Sequence, residues 1–152
     1  MMSMRWWRAV LIVTLGVAAG LAWNALSGRG FALGRSVFVQ AGDEVIEAAE
    51  AKARLDRGAL FLDARPPDFH KMSHIPGALS LPEEGFEAAF ARIEPRLRTH
   101  FNLVVYCAGY GCESSHVVAG KLREKGIHAA ILNEGWPAWT DAGYPTRAGA
   151  EP

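Results

Sequence analysis

The longest uninterrupted apolar pattern lies near the N-terminus, where AVLIVTLGVAAGLAWNALSG runs from Ala9 to Gly28 without a charged residue. Arg5 and Arg8 precede it, and Arg29 and Arg35 follow. Trp6, Trp7 and Trp23 fall near its ends, where an indole keeps its apolar body in lipid and its N–H in water. About 20 helical residues cross a hydrocarbon core, so residues 1–28 are expected to form one membrane anchor helix. A cleaved secretory signal is the competing reading, with AAG at 18–20 or ALS at 25–27 as cleavage sites. Residues 29–42 carry glycines and polar positions without a helical stripe and read as a linker.

Beyond the linker the pattern alternates between helical and extended stretches. EAAEAKARLDRG (47–58) is rich in helix formers and closes on Gly58, a C-terminal stop. ALFLDAR (59–65) is a short apolar run ending on charges, the form of a buried parallel strand that opens into a site. GALSLP (77–82) is a second strand, and EEGFEAAFARIEPRLR (83–98) is helical on both sides of an expected break at Pro95. FNLVVYC (101–107) is the clearest strand. SSHVVAGKLREKG (114–126) then gives a helix with Val118, Ala119 and Leu122 on one face, IHAAILN (127–133) a strand, and WPAWTDAG (136–143) a short helix. Alternation of this kind predicts an α/β domain over 43–147, with a parallel sheet between helices, and a tail at 148–152.

Composition narrows the functions. The 152 residues allow one compact domain plus an appendage. Sixteen Lys and Arg balance sixteen Asp and Glu, which argues against a nucleic-acid surface. Two cysteines and five scattered histidines give no metal-ligand spacing, and no cofactor is implied.

Both cysteines sit in YCAGYGCESS (106–115). Cys107 directly follows a strand, Ala108, Gly109, Tyr110 and Gly111 make a tight small-residue turn, and Ser114 and Ser115 are candidate N-caps for the next helix. A turn of this type aims backbone N–H groups inward, and the helix adds its positive end, so the Cys107 thiol should ionise below its free value. The plain alternative is a cysteine packed as a small hydrophobe. Loops of the form Cys-x5-Arg serve phosphatases and arsenate reductases because the guanidinium clamps an oxyanion. Glu113 stands at that arginine position, which argues against such chemistry and leaves a first-turn acid favoured by the helix dipole.

LFLDARPPDFHKMSHIPGALSLP, YCAGYGCESS and NEGWPAW together resemble the rhodanese homology domain across nearly all of 43–147. The resemblance implies a three-layer fold, a central parallel sheet flanked by helices, here preceded by one transmembrane helix. It also implies a sulfurtransferase that moves sulfane sulfur from a small donor such as thiosulfate to a thiol or cyanide-like acceptor through a Cys107 persulfide. Asp63, Arg65 and His74 to Ala78 fill the first signature. Asp63 and Arg65 read as an ion pair or hydrogen bonds bracing the loop, His74 as a loop-fixing hydrogen bonder, and Trp136 and Trp139 as packing residues. His116 has no assigned role. His70 and Ser73 depart from the family pattern at positions expected on a surface loop. Cys112 and Glu113 lie where the family often places an arginine, and Cys112 is a resolving thiol, a protective partner or a passive residue. A dithiol redox protein and an idle binding module are the other classes. An N-terminal anchor with its short tail inside would put the domain on the extracytoplasmic side, where disulfides persist. The sequence names no protein partner.

Overall fold

The computed structural model describes residues 6–26, 42–109 and 112–149. Two units are distinguished, 1–35 and 36–152. The first holds α1 (Trp6–Leu26), a 21-residue apolar helix with none of residues 6–23 buried. It is long and apolar enough to cross a membrane. Residues 29–41 of the expected linker lie outside the described residues.

The second unit contains β1 (Val45–Ile46), α2 (Ala48–Asp56), β2 (Leu60–Asp63), α3 (Pro67–Met72), β3 (Leu79–Ser80), α4 (Phe86–Thr99), β4 (Leu103–Tyr106), α5 (Ser114–Glu124), β5 (Ala130–Leu132) and α6 (Gly135–Asp141). The five strands form one parallel sheet in the order β1-β5-β4-β2-β3. Every residue of β2, β4 and β5 is buried, as expected for strands covered on both faces.

The side-chain period of two sorts these strands into two cores. Leu60, Leu62, Leu103, Val105 and Ile131 pack with Phe90, Ile93 and Leu97 of α4 and Val118 and Leu122 of α5. Phe61, Val104, Tyr106, Ala130 and Leu132 pack on the other face with Ala51 of α2 and Trp139 of α6. Cys107 keeps the parity of Leu103 and Val105 and belongs to the α4/α5 core. It emerges at the end of the central strand. The chain places β3 on one side of β2 and then returns to place β4 on the other, so the order reverses between β2 and β4. Open α/β sheets bind ligands in the crevice at such a point, beyond the carboxyl ends of the strands.

Three expectations change. Val45 and Ile46 form a strand, because β5 offers them a partner through Val45↔Ile131 and Ile46↔Leu132. Residues 67–72, read as loop, form a helical turn and a half with Pro67 at its start, where a missing N–H costs nothing. Pro95 does not break α4. It removes one backbone donor and stays exposed, while Phe90, Ile93 and Leu97 bury the opposite face. Their burial, at roughly 1.5–3 kcal/mol for each large side chain, outweighs one missing hydrogen bond.

Both ends of the domain are tied down. The buried Asp43 carboxylate accepts hydrogen bonds from His116 Nδ1 at 2.8 Å and Arg123 Nη1 at 2.9 Å, which gives His116 a structural role. At the other end His74 and Arg147 exchange backbone hydrogen bonds of 2.7 and 2.8 Å, and the Gly149 N–H donates to the Lys71 carbonyl.

Candidate active site

Cys107 is 2% exposed, and its Sγ lies within disulfide distance of that of the half-buried Cys112. The Cys112 N–H donates to the Gly109 carbonyl at 3.0 Å, closing the turn. The Cys112 carbonyl oxygen stands 3.4 Å from Cys107 Sγ. Tyr110 and Gly111, whose N–H groups were expected to help form an inward-facing set, lie outside the described residues. Ala108 and Glu113 are exposed on either side of the turn.

The backbone of the nucleophile candidate is held by α6. Trp136 N–H donates to the Cys107 carbonyl at 2.8 Å. Gly135, with φ +57°, lies so close that a Cβ there would overlap the Cys107 carbonyl oxygen. Gly109, with φ +133°, would drive a Cβ to 2.8 Å from Pro137 Cγ. Gly135→Ala should therefore lower stability by about 2 kcal/mol or more in urea unfolding, through both the left-handed backbone and the overlap. Unchanged stability would show that the loop and α6 are not in the described register.

Beneath the loop lies a buried network at the end of β2, next to β4 through the Asp63↔Tyr106 pair. Asp63 Oδ1 accepts from the Arg65 backbone N–H at 3.0 Å and Nε at 2.9 Å. Its Oδ2 accepts from Arg65 Nη2 at 2.7 Å and the Tyr106 hydroxyl at 2.8 Å. Arg65 Nη2 also donates to the Ser73 carbonyl at 2.6 Å, and its guanidinium lies 4.3 Å from the Trp136 ring centroid. Burial by itself would push the Asp63 carboxyl up, but hydrogen bonds from Arg65, His70 and Tyr106 and the Arg65 charge hold it below the usual carboxylate range. Burial and the adjacent carboxylate push the Tyr106 phenol well above its ordinary value. The ion pair expected between Asp63 and Arg65 is present.

Several expected roles need correction. His70 is not on a surface loop: it is 2% exposed, with Nδ1 3.2 Å from Asp63 Oδ2 and its ring stacked on His74 at 4.1 Å. The helical turn α3 points it inward. His74 is buried and its Nδ1 donates to the His70 carbonyl at 2.8 Å, a loop-fixing bond. Ser114 is the first residue of α5 rather than its cap. Glu113 holds the cap position, and the Ser114 hydroxyl donates to Glu83 Oε2 at 2.7 Å. Ser115 is buried. Trp139 is a core residue as expected, whereas Trp136 also braces Cys107 and stacks on Arg65. Sequence spacing gave no signal for the contributions of Glu83 and Trp136.

Beside the loop, a cleft of about 600 Å³ is lined by Ala64, Pro66, Pro82, Glu83, Ser114 and Lys121, residues that follow β2 and β3 or belong to α5.

A parallel sheet that carries a cysteine from its central strand into a tight loop before a helix defines a class of α/β domains with a thiol at the mouth of the sheet. The model of the rhodanese-like domain matches residues 47–142, and the chain belongs to that family. Among solved structures, it is similar to the thiosulfate sulfurtransferase of Pseudomonas aeruginosa, with 30% identity and a TM-score of 0.57, covering 72% of this chain and 21% of that one. The BH2092 protein of Bacillus halodurans, 21% identical with a TM-score of 0.62 over 70% of this chain and 77% of that one, shares the fold. Among curated proteins, an HTH-type transcriptional regulator of Mycobacterium tuberculosis is 30% identical over 109 residues, which are 71% of this chain. The matched region spans 46% of that regulator.

Proposed function

We propose that this protein is a membrane-anchored sulfurtransferase in which Cys107 accepts sulfane sulfur as a persulfide and Cys112 resolves it. The observation that carries the reading is the position of Cys107 at the end of the central strand with Cys112 in disulfide reach across one turn. In the reduced protein the Cys107 thiolate attacks the outer sulfur of thiosulfate, forms a persulfide and releases sulfite. Attack by the Cys112 thiolate on Cys107 Sγ then expels hydrosulfide and leaves the disulfide. An external thiol or cyanide could instead take the outer sulfur and restore the Cys107 thiolate.

Intact mass of reduced protein after thiosulfate tests this. The reduced wild type should gain one sulfur transiently, then lose it as hydrosulfide together with two free thiols. Cys112→Ser should keep the added sulfur, because no second protein thiol remains and water is a poor acceptor. The wild-type decay should accelerate with pH until Cys112 is ionised. Equal persulfide lifetimes in the two proteins would make Cys112 a bystander, and no sulfur gain in either would remove the sulfurtransferase reading.

The disulfide favours a second reading, in which the two cysteines act as a thiol-disulfide redox pair without sulfur transfer. Absence of a persulfide combined with reversible dithiol oxidation would select it.

The apolar helix α1 supports a single-pass anchor, and we place the domain on the extracytoplasmic side, where a disulfide would persist. The full chain should remain with membranes through a carbonate wash, and deletion of residues 1–28 should release it. Release by salt alone would mean that α1 does not span the bilayer.

A further inference from the structure

We infer that the Cys107–Cys112 disulfide is opened from the Cys112 side by a dithiol, so that Cys112 is the entry point for the electrons that regenerate the Cys107 thiolate. The inference rests on the sulfur-transfer reading for its purpose, since each hydrosulfide release would leave the disulfide to be reduced.

Access decides which sulfur is attacked. A thiolate must approach a disulfide sulfur roughly in line with the bond, from the side opposite the leaving sulfur, and needs open space there. Cys107 is 2% exposed and is built into the core formed by the sheet with α4 and α5, among Leu62, Val105 and Val118. Cys112 only packs against the edge of that core and is half-buried, next to the exposed Glu113. The cleft beside Ser114 opens two residues beyond it. An external thiol reaches Cys112 without displacing the core. In the disulfide form Cys107 offers an external thiol almost no open surface.

The chemistry then runs in two displacements. One donor thiolate attacks Cys112 Sγ. The new sulfur–sulfur bond joins donor to Cys112, the Cys107–Cys112 bond breaks, and the electron pair leaves on Cys107 as its thiolate. The donor's second thiolate next attacks the donor's own first sulfur, closing the donor disulfide and expelling the Cys112 thiolate. The donor is oxidised by two electrons, the protein disulfide is reduced by two, and the two donor protons pass to solvent or to the cysteines.

The class of donor follows from the same geometry. After the first displacement, Cys107 remains one turn from Cys112 and can reattack at the high effective concentration of an intramolecular group. A monothiol adduct is therefore expelled before a second monothiol molecule arrives. A dithiol carries its second sulfur with it and completes the reduction.

The test uses the full-length oxidised protein in detergent. It is treated with 2-mercaptoethanol, quenched with acid at short times, and alkylated, and the modified sulfurs are located by fragmentation of the loop peptide. The mercaptoethanol adduct should lie on Cys112 and the alkyl group on Cys107, with at least about a tenfold excess over the reverse arrangement. In parallel, dithiothreitol at equal thiol concentration should give complete reduction under conditions where 2-mercaptoethanol leaves most of the disulfide closed. Adduct chiefly on Cys107, or equal labelling of both sulfurs, overturns the entry point, and equal reduction by the two reagents overturns the dithiol requirement. Neither measurement reads sulfur transfer. A protein that gains no sulfur from thiosulfate but is labelled on Cys112 rejects the sulfurtransferase and keeps this inference. One that gains sulfur and is labelled on Cys107 does the opposite.

Discussion

Cys107→Ser should abolish persulfide formation and lower thiocyanate production from thiosulfate and cyanide by at least about a thousandfold, the scale on which loss of a nucleophile is felt. A serine hydroxyl at neutral pH has no thiolate to attack the outer sulfur and cannot hold it in a stable bond. The fold should survive. The substitution leaves every backbone bond of the loop in place, including Trp136 N–H to the residue 107 carbonyl, and puts one small hydroxyl into a buried site at a cost of roughly 1–3 kcal/mol. Thermal unfolding should therefore remain cooperative, and thiol titration should find a single free thiol, Cys112. If the variant retained full transfer while Cys112→Ser lost it, the nucleophile would be Cys112 and the sulfur chemistry would have to be reversed. Retention in both variants would place the activity outside this loop.

The second large effect belongs to a residue that touches no substrate in this reading. Asp63→Asn should cost about 3–5 kcal/mol of stability near neutral pH, because it leaves the buried Arg65 guanidinium without its countercharge. The loss should depend on pH in a definite direction. The folded Asp63 carboxyl sits below the ordinary value of about 3.9, so its contribution is fully present above that value and fades as pH falls toward its folded value. The difference between wild type and variant should thus be widest at neutral pH and narrow in acid. A constant difference down to the acid limb would mean that Asp63 is not held ionised by Arg65. Tyr106→Phe removes the hydroxyl bond to Asp63 Oδ2 and the 3.3 Å bond that the hydroxyl accepts from the Ile75 N–H, and should cost about 1–3 kcal/mol. It supplies a folded reference if the Asn variant does not accumulate. Because Asp63 pairs with Tyr106 immediately before Cys107, loosening this network should also reduce the fraction of protein that takes up sulfur.

The sequence by itself determined what periodicity and local chemistry can specify. The apolar runs at Leu60–Asp63 and Leu103–Tyr106 required strands covered on both faces. The fold then put Phe61 and Leu62 into opposite cores, and Cys107 onto the same face as Val105, as the period of two of a strand requires. The order of the three motifs pointed to the family and to the loop that carries both cysteines.

Tertiary structure decided what depends on partners distant in the chain. Val45 and Ile46 are too few to be a strand alone and become one only against Ile131 and Leu132. Short helices gain most of their stability from packing rather than propensity, so the local start signal at Pro67 was not enough to announce α3 or to turn His70 toward Asp63. The same reason explains Pro95, whose local cost is overridden by the buried face of α4. Ser114 was legible as a capping residue, but Glu83, brought in from the segment after β3, captured its hydroxyl. Cys107 and Cys112 were visible as two thiols in one turn. Which of them the core encloses and which it leaves open was fixed only when α4 and α5 closed over β4.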